Sequence, residues 1–136
     1  MLKPMHRRSF IGTLAVAATS AGAEAEVQTV TGPVPVSKLG RTLTHEHVLV
    51  DFIGAEAVSR SRYKSDDVFL AALPKLKEAA ASGCETFVDC TPAYLGRDPV
   101  LLQRLSKASG LKILTNTGYY GAANDKFVPK HSFAEW

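Results

Sequence analysis

The sequence predicts an α/β fold with parallel strands, and three observations support this prediction. Short β-branched, apolar segments alternate along the chain with segments of helical periodicity. The helical segments begin with acidic residues or an Asp-Pro pair and end at glycine. Strands that are joined through helices run parallel with right-handed crossovers, which defines an α/β architecture.

The first elements are a hairpin, a strand and a helix. Residues 27–36 alternate apolar and polar side chains around a Gly-Pro turn, which predicts a short N-terminal β-hairpin. Residues 42–50 are β-branched and apolar, as expected of a strand. Residues 66–82 carry an apolar stripe at helical spacing with Ser65 as the expected cap, and Pro74 predicts a kink or a late start.

The following elements repeat this order. Residues 85–90 form the second predicted strand. Asp98 is expected to cap the second helix, with Pro99 at its first position and Gly110 just after its end. Residues 111–117 form the third predicted strand. Two and a half βα units are therefore expected.

The end of the chain carries the signature of a further helix. Ser132 and Glu135 have the spacing of a capping box, and the sequence stops at Trp136. We therefore expect a chain truncated in its third helix, with residues 26–136 as the N-terminal part of a larger domain.

Residues 1–25 are predicted to be an export signal. A positively charged start precedes an apolar stretch from Phe10 to about Ala18 and two A-x-A patterns. This stretch is shorter than the ~20 residues that span a membrane. Residues 6–12 resemble a twin-arginine signal, and an ordinary secretory signal is the alternative. We expect a periplasmic or secreted protein without a stable membrane anchor after cleavage.

Composition and charge exclude some classes of function. The chain has 136 residues, 46% hydrophobic and 21% charged, which is ordinary for a globular protein. The net charge of +3 comes partly from the N-terminal cations, and no basic run is interleaved with aromatic residues. We therefore expect no nucleic-acid partner. Cys84 and Cys90 would lie ~20 Å apart along a strand, too far for a disulfide, and we expect two small buried apolar residues.

The residues with the clearest chemical potential are two histidines in the first strand. Side chains alternate faces along a strand, so His45 and His47 are expected to point to one face and Glu46 to the other. Two imidazoles on one face can bind one divalent ion. The H-x-H pattern alone is weak evidence, because such pairs also occur by chance.

The surrounding residues make the pattern specific. Gly40-x-Thr42-Leu43-x-His45-Glu46-His47-Val48 resembles the first-strand signature G-x-T-L-x-H-E-H-[LIV] of the phosphotriesterase family, within the amidohydrolase superfamily. The resemblance continues through residues 87–89, 96–98 and 117–120 and covers residues 27–136.

The resemblance implies a partial (β/α)8 TIM barrel, preceded by the hairpin, and a metal-dependent hydrolase. It implies two divalent ions in the complete protein, zinc first, with cobalt, manganese or iron as alternatives. His45 and His47 match two ligands of the more buried ion. The nucleophile is a metal-bound hydroxide, so no catalytic side chain is expected in this chain, and the other ligands belong to later strands. The implied substrate is a small-molecule phosphotriester, lactone or carboxylic ester, and the complete protein could form a homodimer.

Several other polar residues admit two interpretations. Tyr120 matches a position where the family carries an aromatic residue against the substrate, although an exposed loop tyrosine can equally lack that role. Glu46 is expected to form an ion pair or hydrogen bond towards the helices. Asp51 could line the pocket mouth or stabilise a turn. Asp89 and Arg97 are expected to hold a βα loop.

Two other functions compete with the hydrolase. The first is a catalytically inactive binding or scaffold member of the same family that lacks the later metal ligands. The second is a metallo-β-lactamase type of hydrolase, which we disfavour because Val48 and Leu49 follow the H-x-H where Asp-His is expected. We expect this chain alone to be inactive and to bind two metal ions only weakly.

Overall fold

A computed structural model describes residues 24–133. The strands are β1 (Glu26–Thr29), β2 (Gly32–Pro35), β3 (Thr42–Glu46), β4 (Thr86–Asp89) and β5 (Lys112–Thr115), and the two long helices are α1 (Ser65–Ala81) and α2 (Pro99–Ser109). Short 3-10 turns at Val36–Lys38, Arg60–Arg62 and Lys130–Phe133 and a helical turn at Ala122–Asp125 complete the connections. None of the helices in these residues combines the length and hydrophobicity that a membrane crossing requires. The predicted export signal lies outside the described residues.

The strands form two sheets whose topology confirms the predicted fold class. β1 and β2 pair antiparallel as the expected hairpin. β3, β4 and β5 form a parallel sheet in chain order, with α1 and α2 as the crossovers. This succession is the opening section of a (β/α)8 barrel, in which each strand pairs with the next along the chain. The carboxyl ends of the three parallel strands consequently lie at one edge.

A single apolar cluster fixes the helices on the sheet. Leu101, Leu102 and Leu105 of α2 are at most 1% exposed and pack with the fully buried Ile113 of β5. Leu76 of α1 and Phe87 of β4 belong to the same cluster. Each buried aliphatic or aromatic side chain of this kind contributes roughly 1.5–3 kcal/mol. The core therefore lies between the sheet and the helices.

The helix α1 departs from the prediction at its start. Ser65 is its first helical residue rather than its cap, and Lys64 precedes it without a side-chain capping bond. The Ser65 hydroxyl instead accepts a hydrogen bond from Arg104 of α2. Pro74 causes no late start, since the helix already begins at Ser65; the carbonyl that Pro74 cannot bond belongs to Leu70, a residue that is 69% exposed.

The helix α2 confirms its predicted ends. The Asp98 carboxylate accepts hydrogen bonds from the Val100 and Leu101 amides, at 3.1 and 3.2 Å, and Pro99 occupies the first turn. Gly110 closes the helix in the left-handed conformation, with φ of 81°. These two caps fix where α2 begins and how the chain enters β5.

The C-terminal region is only partly as predicted. Ser132 lies within a 3-10 turn, and Glu135 lies outside the described residues, so the capping box remains a prediction. A helical turn at Ala122–Asp125 was not foreseen. Its Ala123 and Asn124 have left-handed dihedral angles, which few side chains adopt and which no apolar pattern indicates.

Candidate metal and substrate site

The two histidines lie at the carboxyl end of β3. His45 belongs to the strand, whereas His47 follows its last residue, Glu46. The strand is shorter than the predicted 42–50, because the Val48 amide leaves the ladder and donates to the Asp89 carboxylate at 2.9 Å. Even so, both imidazoles line one cleft, with ring centroids 5.3 Å apart and ring planes at 73°. The expectation that the two rings share a cavity is thus confirmed.

This histidine cleft is lined by His45, His47 and residues from the ends of all three parallel strands. Its volume is about 620 Å³, large enough for a small organic molecule. The wall beyond the imidazoles is formed by Phe52, Cys90, Leu95, Asn116, Tyr119 and Tyr120. These residues lie close together because the strands are parallel, so that the segments following all three strands begin at the same edge of the sheet.

Cys90 corrects one expectation from the sequence. Both cysteines are free thiols, as predicted, and Cys84 is buried at 9% exposure. Cys90 is only half-buried and lines the histidine cleft. The reason is its position one residue beyond the end of β4, where the chain faces the cleft instead of the core.

His47 is held by a buried hydrogen-bonded chain that the sequence did not reveal. Its Nδ1 lies 3.0 Å from the Thr91 hydroxyl, and that hydroxyl donates to the Asp89 carboxylate at 3.1 Å. Thr91 and Asp89 are each 1% exposed. Burial raises the pKa of the Asp89 carboxyl, and hydrogen bonds from Val48 and Thr91 offset part of that rise. A threonine two residues after a strand-ending aspartate was the available signal, although that pattern is common.

Glu46 lies on the other side of β3, as alternation predicts. It lines a groove towards α1 that also involves Val48, Ala72, Lys75 and, at its rim, His47. Among residues 24–133 its carboxylate forms neither an ion pair nor a hydrogen bond, so the predicted ion pair or hydrogen bond towards the helices is not found. Lys75 instead pairs with Glu78 at 3.3 Å, an exposed interaction within α1.

Tyr120 lies on the wall of the histidine cleft, and its predicted contact with a substrate stays a prediction. It is 43% exposed and pairs with Phe127 through an isolated antiparallel bridge, which closes the loop after β5 on itself. Phe127 is 4% exposed and contacts both Tyr120 and Phe52, with ring centroids 5.6 Å apart in each case. Phe52 is 58% exposed and completes an aromatic wall. The sequence analysis did not single out Phe52, because no periodic pattern marks a loop residue.

The loops around the cleft are tied to each other. Arg97 donates to the Asn116 carbonyl and so links the loop after β4 to the end of β5, which confirms its expected structural role. Asp51 pairs with Arg62 at 2.5 Å, and this hydrogen bond lowers the Asp51 pKa. Gly96 has φ of 117°, and a Cβ there would lie 2.9 Å from the Leu49 carbonyl oxygen. Only glycine permits this close approach of the two loops without strain.

The donor set fits a divalent metal ion of the imidazole-binding kind. Two imidazoles line the same cleft, and the Nδ1 atom of His47 is already engaged with Thr91, which leaves Nε2 for a ligand. Within residues 24–133, no cluster of three or more His, Cys, Asp or Glu side chains is suitable for a metal. The described residues therefore offer two imidazole donors, which is fewer than the three or four protein ligands of a zinc site.

The parallel strands and their helical crossovers form the opening section of a (β/α)8 barrel, and the imidazole pair lies at the edge where such barrels have their active sites. The model of the phosphotriesterase family matches residues 25–135. This chain belongs to the phosphotriesterase family.

Individual relatives agree with this membership. The chain is 31% identical over 122 residues to an N-acetyltaurine hydrolase of Tetraodon nigroviridis, with 70% of this chain and 35% of the relative covered. It is 36% identical over 85 residues to an aryldialkylphosphatase of Saccharolobus solfataricus, with 60% and 26% covered. Among solved structures, an organophosphorus hydrolase from Deinococcus radiodurans superposes with a TM-score of 0.61 at 35% identity, with 73% and 30% covered. The chain thus spans about a third of the length of these hydrolases.

Proposed function

We propose that this chain is the N-terminal portion of a metal-dependent hydrolase that acts on ester bonds of small molecules, namely phosphotriesters, lactones or carboxylic esters. The observation that carries the proposal is the pair of imidazoles, His45 and His47, in one cleft at the carboxyl end of the parallel strands. Family membership supports hydrolysis, and the imidazole pair supports the metal.

In this proposal His45 and His47 hold a divalent ion, zinc in the first instance, with cobalt, manganese or iron as alternatives. When bound, the ion supplies Lewis-acid polarisation and activates water at neutral pH. His47 is kept in place by Thr91, and His45 is positioned by the β3 backbone. The aromatic side chains of Tyr120 and Phe52 line the same cleft and offer apolar contact area to the organic part of a substrate.

The test uses the whole protein and compares single histidine variants. His45→Asn and His47→Asn are expected to lower kcat/KM by on the order of 100-fold or more and to reduce the bound metal, since loss of a supporting residue alone costs about 10–100-fold. His131→Asn is the matched control, because His131 contacts Tyr94 and does not line the histidine cleft. Unchanged metal content and activity in both cleft variants would remove the basis of the proposal.

The names of the relatives leave the scissile bond as the main question. One relative is named for phosphotriester-type hydrolysis and another for N-acetyltaurine, whose acyl bond is an amide. Assays with an aryl dialkyl phosphate, a lactone and an N-acetylated aminosulfonate distinguish phosphotriester, lactone and amide hydrolysis. Ester preference supports the proposal, whereas exclusive hydrolysis of the amide would overturn its assignment of the scissile bond to an ester. Bound metal without any turnover would favour an inactive binding member of the family.

Export is a further part of the proposal. The twin-arginine pattern at Arg7 and Arg8 supports transport to the periplasm followed by cleavage near residue 25. Replacement of both arginines by lysine should leave the protein uncleaved in the cytoplasm, as judged by its mass after fractionation. Cleavage and export of that variant would argue for an ordinary secretory signal.

A further inference from the structure

A buried chain of hydrogen-bonded side chains lies behind His47. Its members are Asp89 at the carboxyl end of β4 and Thr91 two residues later, which reach across to the residue that follows β3. Both side chains are 1% exposed, so no competing water donor or acceptor is readily available.

The Asp89 carboxylate is the fixed end of the chain. Its Oδ1 accepts from the Val48 amide at 2.9 Å and from the Thr91 hydroxyl at 3.1 Å, and the Thr91 amide provides an additional bond. An ionised carboxylate can only accept hydrogen bonds. A backbone amide can only donate, so several donors converge on this side chain. The hydroxyl proton of Thr91 is thereby committed to Asp89.

The commitment of that proton determines what Thr91 can do towards His47. A threonine hydroxyl has one proton and two lone pairs, so after it donates to Asp89 it can only accept. His47 Nδ1, at 3.0 Å, must then carry the proton and donate it to Thr91. A neutral imidazole with its proton on Nδ1 has its free lone pair on Nε2.

We propose that Thr91 and Asp89 are positioning residues that hold neutral His47 in its Nδ1–H form and so direct the Nε2 lone pair to a metal ion. The assignment of the His47 tautomer depends only on the hydrogen bonds that link His47, Thr91 and Asp89. Its use for metal binding rests on the proposed function. Such supporting partners of a ligating histidine typically change metal affinity by about 10–100-fold.

The experiment measures the tautomer directly in the metal-free full chain. Nitrogen NMR of ¹⁵N-histidine-labelled protein, at a pH where imidazole is neutral, distinguishes protonated from unprotonated ring nitrogens. The His47 signals are identified by their loss in His47→Asn. We expect the proton on Nδ1 in the wild type. A proton on Nε2 in the wild type overturns the proposal without recourse to any Thr91 variant.

Three variants then test the role of the hydroxyl. Thr91→Val keeps the β-branched shape but removes the hydroxyl, and we expect His47 to become a mixture of tautomers. Thr91→Ser restores the hydroxyl and should restore the Nδ1–H form. Thr115→Val is the matched control, because the buried Thr115 hydroxyl has no hydrogen-bond partner among the described residues. An unchanged tautomer in a folded Thr91→Val protein, judged by its amide spectrum, contradicts the proposal.

A zinc titration of the same samples separates this proposal from the proposed function. Zn²⁺ alone should shift the Nε2 signal of His47, and Thr91→Val should raise the half-saturating zinc concentration by about 10–100-fold. Equal zinc affinity in the two proteins would refute the positioning role. If zinc leaves both histidines of the wild type unperturbed while the Nδ1–H form persists, the proposed function fails and the hydrogen-bond assignment stands.

Discussion

Removal of the Asp98 carboxylate is expected to destabilise the protein by more than a helix cap alone. In Asp98→Ala the α2 N-terminus loses two capping bonds, worth about 1 kcal/mol. The Tyr63 hydroxyl loses its acceptor at 2.8 Å, worth about 1–2 kcal/mol because that acceptor is charged. The ion pair with Arg60, at 3.5 Å and with Arg60 66% exposed, contributes at most about 0.5 kcal/mol.

The expected loss in free energy of unfolding is therefore about 2–3 kcal/mol. It is measured by urea denaturation of the full chain, as a lower midpoint at an unchanged m value. Asp98→Asn is the matched control, since asparagine caps helices as well as aspartate and should cost below about 1 kcal/mol. Tyr63→Phe should lose only the part of the stability that comes from the hydrogen bond between the Tyr63 hydroxyl and Asp98. A loss below about 1 kcal/mol in Asp98→Ala, or equal losses in the Ala and Asn variants, would show that the Asp98 carboxylate does not carry these contacts.

Three further predictions follow from single contacts. Burial and the hydrogen bond to the Asp98 carboxylate raise the pKa of Tyr63 to about 12. The stabilising contribution of the Tyr63 hydroxyl is therefore complete below pH 10 and is lost as the pH rises through 12. An absorbance titration should show a late-titrating tyrosine that Tyr63→Phe removes. Cys90 should react with iodoacetamide in the native chain while Cys84 reacts only after unfolding, and peptide mass mapping that finds Cys84 labelled first would contradict the assigned burial. Gly96→Ala should lower the free energy of unfolding by about 1–3 kcal/mol, because alanine is strained at φ of 117°. The control Gly118→Ala has open space around its added Cβ and should unfold at the same urea concentration as the wild type.

The elements that depend on local chemistry were predictable from the sequence. Asp98, Pro99 and Gly110 mark the ends of α2 because caps act through the nearest backbone groups. The parallel order of β3, β4 and β5 followed from the alternation of strands with helices. His45 and His47 were recognisable as a pair because side chains two apart project from a strand together.

The features that were missed or wrong depend on contacts between distant segments. Ser65 does not cap α1, since it is the first residue inside the helix and its hydroxyl accepts from Arg104 of the other helix. Cys90 is not a core residue, since the end of β4 places it in the cleft. Thr91 lies 44 positions from His47, and no local pattern joins residues at that separation.

Which segments become strands and helices, the order of the parallel strands and the residue types available to bind a metal ion were all predictable from local sequence. These properties depend on periodicity, caps and side-chain chemistry, all of which act over a few neighbouring residues. The side chains that converge at the carboxyl edge of the sheet, and the nitrogen of His47 that is left free, could be identified only from the folded chain. Both depend on hydrogen bonds between the ends of different strands, and such partners become neighbours only when the chain has folded.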